Sequence, residues 1–192
     1  METLSKLFGN ETKVKVMKLF LFNPEHVFDT AEIASRVRSP LSKVRREVSL
    51  LEKMGLIKRK ASSKKKKGCF VLDQQFSFLP ALQVFLVSTE PLHPKEITKK
   101  FTRLGSIKLL LLAGVFIQEP ESRLDLLVVG DGVKANSLDN TIKNLEAEIG
   151  KELKYAYFTT EDFKYRLSMY DKLTRDILDY PHKMVLNKLG VV

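Results

Sequence analysis

Apolar residues recur at helical spacing in the first part of the chain and predict two helices before residue 40. The first begins after Asn10, a residue type that caps helix N-termini, and ends at the pair Asn23-Pro24. Its apolar stripe comprises Val14, Met17, Phe20 and Leu21. A second, short helix is predicted to begin near Phe28, because Asp29 and Glu32 have the spacing of a capping box.

A third helix is predicted from the apolar stripe Leu41, Val44, Val48 and Leu51. We expect Ser39 to cap this helix, with Pro40 at the first helical position, where no N–H is needed. Gly55 follows the last turn and is expected to end the helix in the left-handed conformation that favours glycine.

After Gly55 the pattern changes to two strand-like segments, 56–60 and 69–72, on either side of a polar turn that contains Gly68. This pattern predicts a β-hairpin, followed by one more helix. The only cysteine, Cys69, lies in the second strand, and we interpret it as a small buried apolar residue rather than a thiol sensor. These elements define a first domain over residues 1–87.

A linker is expected at residues 88–94, where two prolines in four residues disfavour a helix. Apolar runs and amphipathic segments alternate beyond it, which predicts a second domain over residues 95–192 with a small mixed sheet. The predicted strands are 107–113, 124–129 and 153–158; the predicted helices are 94–104, a helix capped by Ser137 that runs to Gly150, and C-terminal helices from about Thr160 that Pro181 interrupts. The fold class expected for the whole chain is α+β.

Positive charge is concentrated in the first domain. The 192 residues have a formal net charge of +10. Residues 1–87 contain 17 Lys and Arg against 8 Asp and Glu, whereas residues 88–192 contain 16 against 15. An excess confined to one domain indicates that this domain meets a polyanion.

The outward face of the third helix and the hairpin carry the residues that we expect to contact DNA. The major groove accepts one α-helix, whose N-terminal residues reach the base edges. Arg45 and Arg46 can make forked contacts to guanine or phosphate, and a lysine-rich hairpin tip can release counterions from the phosphate backbone. The full set is Ser42, Lys43, Arg45, Arg46 and Ser49 on the helix, with Lys58, Arg59, Lys60, Lys64, Lys65, Lys66 and Lys67 on the hairpin.

The segments Thr30–Ala34, Val44–Val48 and Leu51–Ile57 resemble the winged helix-turn-helix superfamily, in particular its ArsR-like branch. The resemblance covers residues 8–87 and implies a transcriptional regulator that binds double-stranded DNA as a homodimer. Some winged helices bind RNA or proteins instead, so an RNA- or protein-binding adaptor is an alternative. The metal-thiolate clusters of some ArsR-type sensors have no counterpart in this sequence.

Residues 110–131 resemble the core of the polymerase-beta-like nucleotidyltransferase superfamily, and the resemblance extends over the second domain. In that family a strand ends in Gly-Ser and the next opens with Asp-x-Asp, whose carboxylates and a third one hold two magnesium ions. Here Val115 follows Gly114 in place of serine, Arg123 replaces the first carboxylate, and Asp125 alone matches. The resemblance therefore implies a nucleotidyltransferase-like domain without catalysis; an active nucleotidyltransferase of the toxin–antitoxin type is the alternative.

Such a domain is expected to serve dimerisation, or to bind a nucleotide or protein effector. We expect Arg123 to pair with Asp125 or Glu121 at the surface. One cysteine and three widely separated histidines offer no zinc-ligand spacing, so no metal or cofactor is expected. No apolar run is long enough to span a membrane, and the N-terminal residues lack a secretory pattern, which favours a cytoplasmic protein.

Overall fold

The computed structural model describes residues 2–60, 68–87, 93–119 and 121–191, and it shows a mixed α+β chain. The chain divides into two compact units. The first unit comprises Met1–Pro91 and Lys143–Glu152, and the second comprises Leu92–Ile142 and Leu153–Val192. The predicted hairpin tip, Lys64–Lys67, and residues 88–92 of the predicted linker lie outside the described residues.

The N-terminal part of the first unit contains the predicted succession of helices, paired strands and a helix. Its elements are α1 (Glu2–Phe8), α2 (Glu11–Phe22), β1 (Phe28–Asp29), α3 (Thr30–Arg36), α4 (Leu41–Lys53), β2 (Ile57–Arg59), β3 (Cys69–Leu72) and α5 (Leu79–Val87). The strands form an antiparallel sheet of order β1-β3-β2, in which Ile57 pairs with Leu72. Phe20, Ile33 and Leu51 bring α2, α3 and α4 together in one buried core. The pattern did not predict α1 or β1.

Two of the three predicted helix caps in this unit are confirmed. The Asn10 side chain accepts a hydrogen bond from the Lys13 amide at 2.7 Å, and the Asp29 carboxylate accepts one from the Glu32 amide at 2.8 Å. The predicted cap at Ser39 is wrong. Pro40 precedes α4 and the cap has no side-chain hydrogen bond, while the Ser39 hydroxyl lies 3.4 Å from the Val37 carbonyl oxygen, to which it donates.

The C-terminus of α4 ends as predicted at Gly55, which has φ +81°. The Gly55 amide donates to the carbonyl of Glu52, and the Leu56 amide donates to the carbonyl of Leu51. This pair of hydrogen bonds is the Schellman motif, which turns the chain sharply out of the helix. The turn leads directly into β2.

The second unit is built on a four-stranded sheet. The elements of this part of the chain are α6 (Pro94–Phe101), β4 (Ser106–Leu112), a 3₁₀ turn (Gly114–Phe116), β5 (Leu126–Asp131), α7 (Ala135–Ile149), β6 (Tyr155–Phe158), α8 (Thr160–Ser168), α9 (Lys172–Asp179) and β7 (Lys183–Asn187). The strand order is β6-β5-β4-β7, with β5 and β6 parallel and the other pairs antiparallel. The central strands β4 and β5 are nearly all buried, as their continuous apolar runs indicate.

Two predictions for this part of the chain are wrong. The chain after Pro181 forms β7, which pairs with β4, instead of a further helix. Ser137 does not cap α7, because the helix begins at Ala135 and the Ser137 carbonyl accepts a hydrogen bond from the Thr141 hydroxyl within it. The short strand β7 forms one edge of the sheet, next to the mostly buried strand β4.

The confirmed cap at Asn10 and the incorrect cap at Ser137 predict different effects on stability when each residue is replaced by alanine. Asn10→Ala is expected to lower the free energy of unfolding by at least about 1 kcal/mol, because the amide of Lys13 loses its acceptor and the buried Glu47 carboxylate loses a donor. Ser137→Ala is expected to change it by less than about 0.5 kcal/mol, since alanine favours a helix interior. Urea denaturation followed by circular dichroism measures both; equal losses would contradict the assignment of the caps.

The segment Lys143–Glu152 belongs to the first unit because it packs against α2. The Asn23 side chain donates to the carbonyls of both Leu19 and Gly150, at 2.7 Å and 2.9 Å. Lys18 is almost fully buried, and this desolvation lowers the pKa of its ammonium group, while the charge of Glu148 acts in the opposite direction. The core of the first unit therefore includes residues that lie far along the chain.

Gly150 packs closely against α2. It has φ +92°, and a Cβ atom there would lie 2.6 Å from the carbonyl carbon of Lys18. We expect Gly150→Ala to lower the free energy of unfolding by roughly 2–3 kcal/mol through strain and overpacking. Gly132→Ala is the matched control, because Gly132 has φ +70° but open space around its Cβ position. Denaturant unfolding that gives the same loss for both variants would contradict this packing.

Candidate nucleic-acid interface

The outward face of α4 carries every helix residue that the sequence predicts to contact DNA. Ser42, Lys43, Arg45, Arg46 and Ser49 are all exposed. The opposite face, with Val44, Val48 and Leu51, is buried. None of the three cations forms an ion pair with a side chain in the described part of the molecule, so their charge is available to an external anion.

A buried carboxylate fixes α4 against the start of α2. Glu47 lies on the inward face of α4 and is 4% exposed. The Asn10 side-chain amide donates to Glu47 Oε1 at 3.0 Å, and Lys13 Nζ lies 3.8 Å from Glu47 Oε2. Because Asn10 also caps α2, one side chain orients both helices. The basic face of α4 thus lies opposite a buried contact with the start of α2.

The hairpin presents its cations differently from the helix. Lys58 Nζ lies 3.0 Å from Asp73 Oδ1, and this hydrogen bond is the largest cause of the lowered pKa of Asp73. Arg59 Nε lies 2.7 Å from Glu52 Oε1, and the same contact raises the pKa of Arg59. Lys60 is exposed and has no ion pair among the described residues. Among the described hairpin residues, Lys60 is therefore the cation without an ion pair, while Lys58 and Arg59 are partly neutralised.

One exposed cation on the same face was not nominated from the sequence. Lys53 follows Ser49 by four residues, so it shares the stripe formed by Ser42, Arg46 and Ser49. It is exposed and has no ion pair in the described ranges. The spacing of four residues from Ser49 is the sequence signal that identifies Lys53 as part of this face.

Gly114, Val115 and Asp125 lie together in the second unit, where Asp125 is held by backbone hydrogen bonds. Asp125 is 5% exposed. Its Oδ1 accepts from the Val115 amide and its Oδ2 accepts from the Lys154 amide, each at 2.8 Å. Gly114 has φ +50°, and a Cβ there would overlap the Asp125 carboxylate. This carboxylate therefore links the turn after β4 and the residue before β6 to the start of β5.

Arg123 pairs with a residue that the sequence did not indicate. Its Nη1 lies 2.7 Å from Asp176 Oδ2 on α9, so the expected pairing with Asp125 or Glu121 is wrong. Asp125 already holds two backbone amides, and Asp176 reaches Arg123 from a distant part of the sequence. Arg123 therefore ties the loop before β5 to α9.

Among residues 2–60, 68–87, 93–119 and 121–191, no group of three His, Cys, Asp or Glu side chains is arranged to hold a metal ion. No helix in the same ranges is both long and apolar enough to cross a membrane. Comparisons of the chain with protein-family models, curated proteins and solved structures found no match.

Proposed function

We propose that this chain is a DNA-binding transcriptional regulator whose first unit is a winged helix-turn-helix. The observation that carries the proposal is the unpaired basic face of α4, with Lys43, Arg45 and Arg46 exposed on a helix whose other side is locked into the core. A helix of this kind fits the major groove, and its cations match phosphate and guanine acceptors. In this reading α3 and α4 form the helix-turn-helix, and β2 and β3 form the wing.

The proposal includes a homodimer, supported by exposed apolar side chains on α1 and α5. Leu7 on α1 is 65% exposed and Val84 on α5 is 66% exposed. The rings of Phe8 and Phe85 lie 6.2 Å apart and join the two helices. A second copy of the same chain would cover these side chains and give the two-fold symmetry with which such regulators read paired half-sites.

In this proposal the second unit does not transfer nucleotides. Both carboxylate oxygens of Asp125 already accept backbone hydrogen bonds. Arg123, two residues before Asp125, is a cation paired with Asp176 and not a metal ligand. A pair of magnesium ions requires several converging carboxylates, which this arrangement does not offer. We assign the unit to dimerisation or to the binding of an effector.

The choice between DNA and RNA is tested by direct competition. We expect the full-length protein to bind a mixed-sequence DNA duplex more tightly than a structured RNA of equal length at the same salt concentration. Affinity for the duplex should fall as salt rises, because bound phosphates release counterions. Fluorescence anisotropy with each unlabelled nucleic acid as competitor shows which of the two the protein binds more tightly. Tighter binding of the RNA would replace this proposal with that of an RNA-binding adaptor.

A further inference from the structure

The second unit contains a cavity of about 300 Å³ next to the Arg123–Asp176 ion pair. Its lining includes the apolar residues Ala113, Leu124, Ile177 and Pro181. Tyr180, which is largely exposed, also lines it. Such a volume, with apolar walls and a few polar groups, is typical of a site for a small organic molecule.

The charges that line this cavity are mostly negative, although the chain as a whole is basic. Glu119 and Glu121 are exposed, and neither carboxylate has a hydrogen bond or an ion pair with the described side chains. Asp176 also lines the cavity, but Arg123 neutralises it at 2.7 Å. The lining thus presents two uncompensated carboxylates beside an apolar wall and an aromatic ring.

We propose that this cavity binds a small organic cation, namely an amine with an apolar body. The ammonium group would be held by Glu119 and Glu121, and the face of Tyr180 adds attraction for a cation. The apolar body would lie against the wall formed by Leu124 and Ile177. A nucleotide or another anion is disfavoured, because Arg123 is already paired and the free charges repel phosphate.

This proposal is independent of DNA binding, since it rests on the lining of one cavity within the second unit. Three probes of nearly equal size separate the effect of charge from that of the apolar body. They are 2-phenylethylamine as the cation, 2-phenylethanol as the neutral analogue, and 3-phenylpropionate as the anion. We expect the amine to bind at least about tenfold more tightly than the alcohol in calorimetric titration of the full-length protein, with the carboxylate weakest.

Variants locate the binding in the cavity. We expect the double variant Glu119→Gln and Glu121→Gln to weaken amine binding at least about tenfold. A matched double variant, Glu96→Gln and Glu161→Gln, removes the same charge from exposed positions that do not line the cavity and should leave the affinity unchanged. All four positions are exposed, and thermal unfolding of each variant verifies that it is folded.

The proposal is overturned if the amine does not bind at millimolar concentration, or if the alcohol binds as tightly as the amine. It is also overturned if both double variants lose affinity equally, because attraction to the amine would then come from net charge alone. Preference for the carboxylate probe would instead assign the cavity to anions.

Discussion

Simultaneous replacement of Lys43, Arg45 and Arg46 by alanine is expected to weaken binding to duplex DNA by at least about a hundredfold. Each good side-chain contact to a base or phosphate contributes roughly 1–3 kcal/mol, and the three cations occupy the exposed face of one helix. The loss should be accompanied by a shallower dependence of affinity on salt, by about one unit of slope for each phosphate contact removed. The fold should be retained, since none of the three side chains is buried.

The control for this variant removes the same charge from the second unit. Lys95, Lys99 and Arg103 are exposed cations on or next to α6, and their replacement by alanine should reduce affinity only slightly through the lower net charge. Fluorescence anisotropy at several salt concentrations gives both affinity and slope. Equal losses in the two triple variants would show that binding follows total charge and would remove α4 from the interface.

Replacement of Asp125 by alanine is expected to lower the free energy of unfolding by roughly 3–5 kcal/mol, because two backbone N–H groups lose a charged acceptor. Those groups belong to Val115 and Lys154, on either side of the segment that contains Asp125. The loss should be the same with and without magnesium, since no magnesium-dependent role is assigned to this carboxylate. Denaturant unfolding under the two conditions measures it.

A matched control lies close in sequence. Glu121 is exposed and lacks a hydrogen bond among the described residues, so Glu121→Gln should leave stability nearly unchanged. Asp125→Asn should have an intermediate effect, because its one oxygen replaces only one of the two acceptors. An Asp125→Ala variant with wild-type stability and a magnesium-dependent loss of nucleotidyl transfer would reverse the assignment and make the second unit an enzyme.

Local signals in the sequence predicted much of the first unit. Asn10, Asp29 and Gly55 occupy the positions to which their side-chain or backbone chemistry assigns them. Ser39 did not, because the helix begins after Pro40 and the serine hydroxyl finds a backbone acceptor in the preceding turn. Several residues that suit the start of a helix can compete within one short turn, and local preference does not choose among them.

Contacts between distant parts of the sequence account for what was missed. The strand β7 is set by pairing with β4, and its few apolar residues after Pro181 carry no pattern that distinguishes a strand from a helix. Gly150 belongs to the first unit because it contacts α2, and Asp176 was not recognised as the partner of Arg123. For the candidate interface, amphipathic spacing predicted which residues of α4 are exposed, but not that Glu52 and Asp73 partly neutralise the hairpin.

Recognition of DNA sequence by α4 is tested most directly by selection from a pool of random duplexes followed by sequencing. We predict an enriched palindromic motif, as expected for a dimer that presents two copies of α4 to paired half-sites. Arg46→Ala should relax the preference at one or more positions of each half-site. The absence of any enriched motif would contradict sequence recognition by α4, and the absence of binding to duplex DNA at low salt would contradict DNA binding altogether.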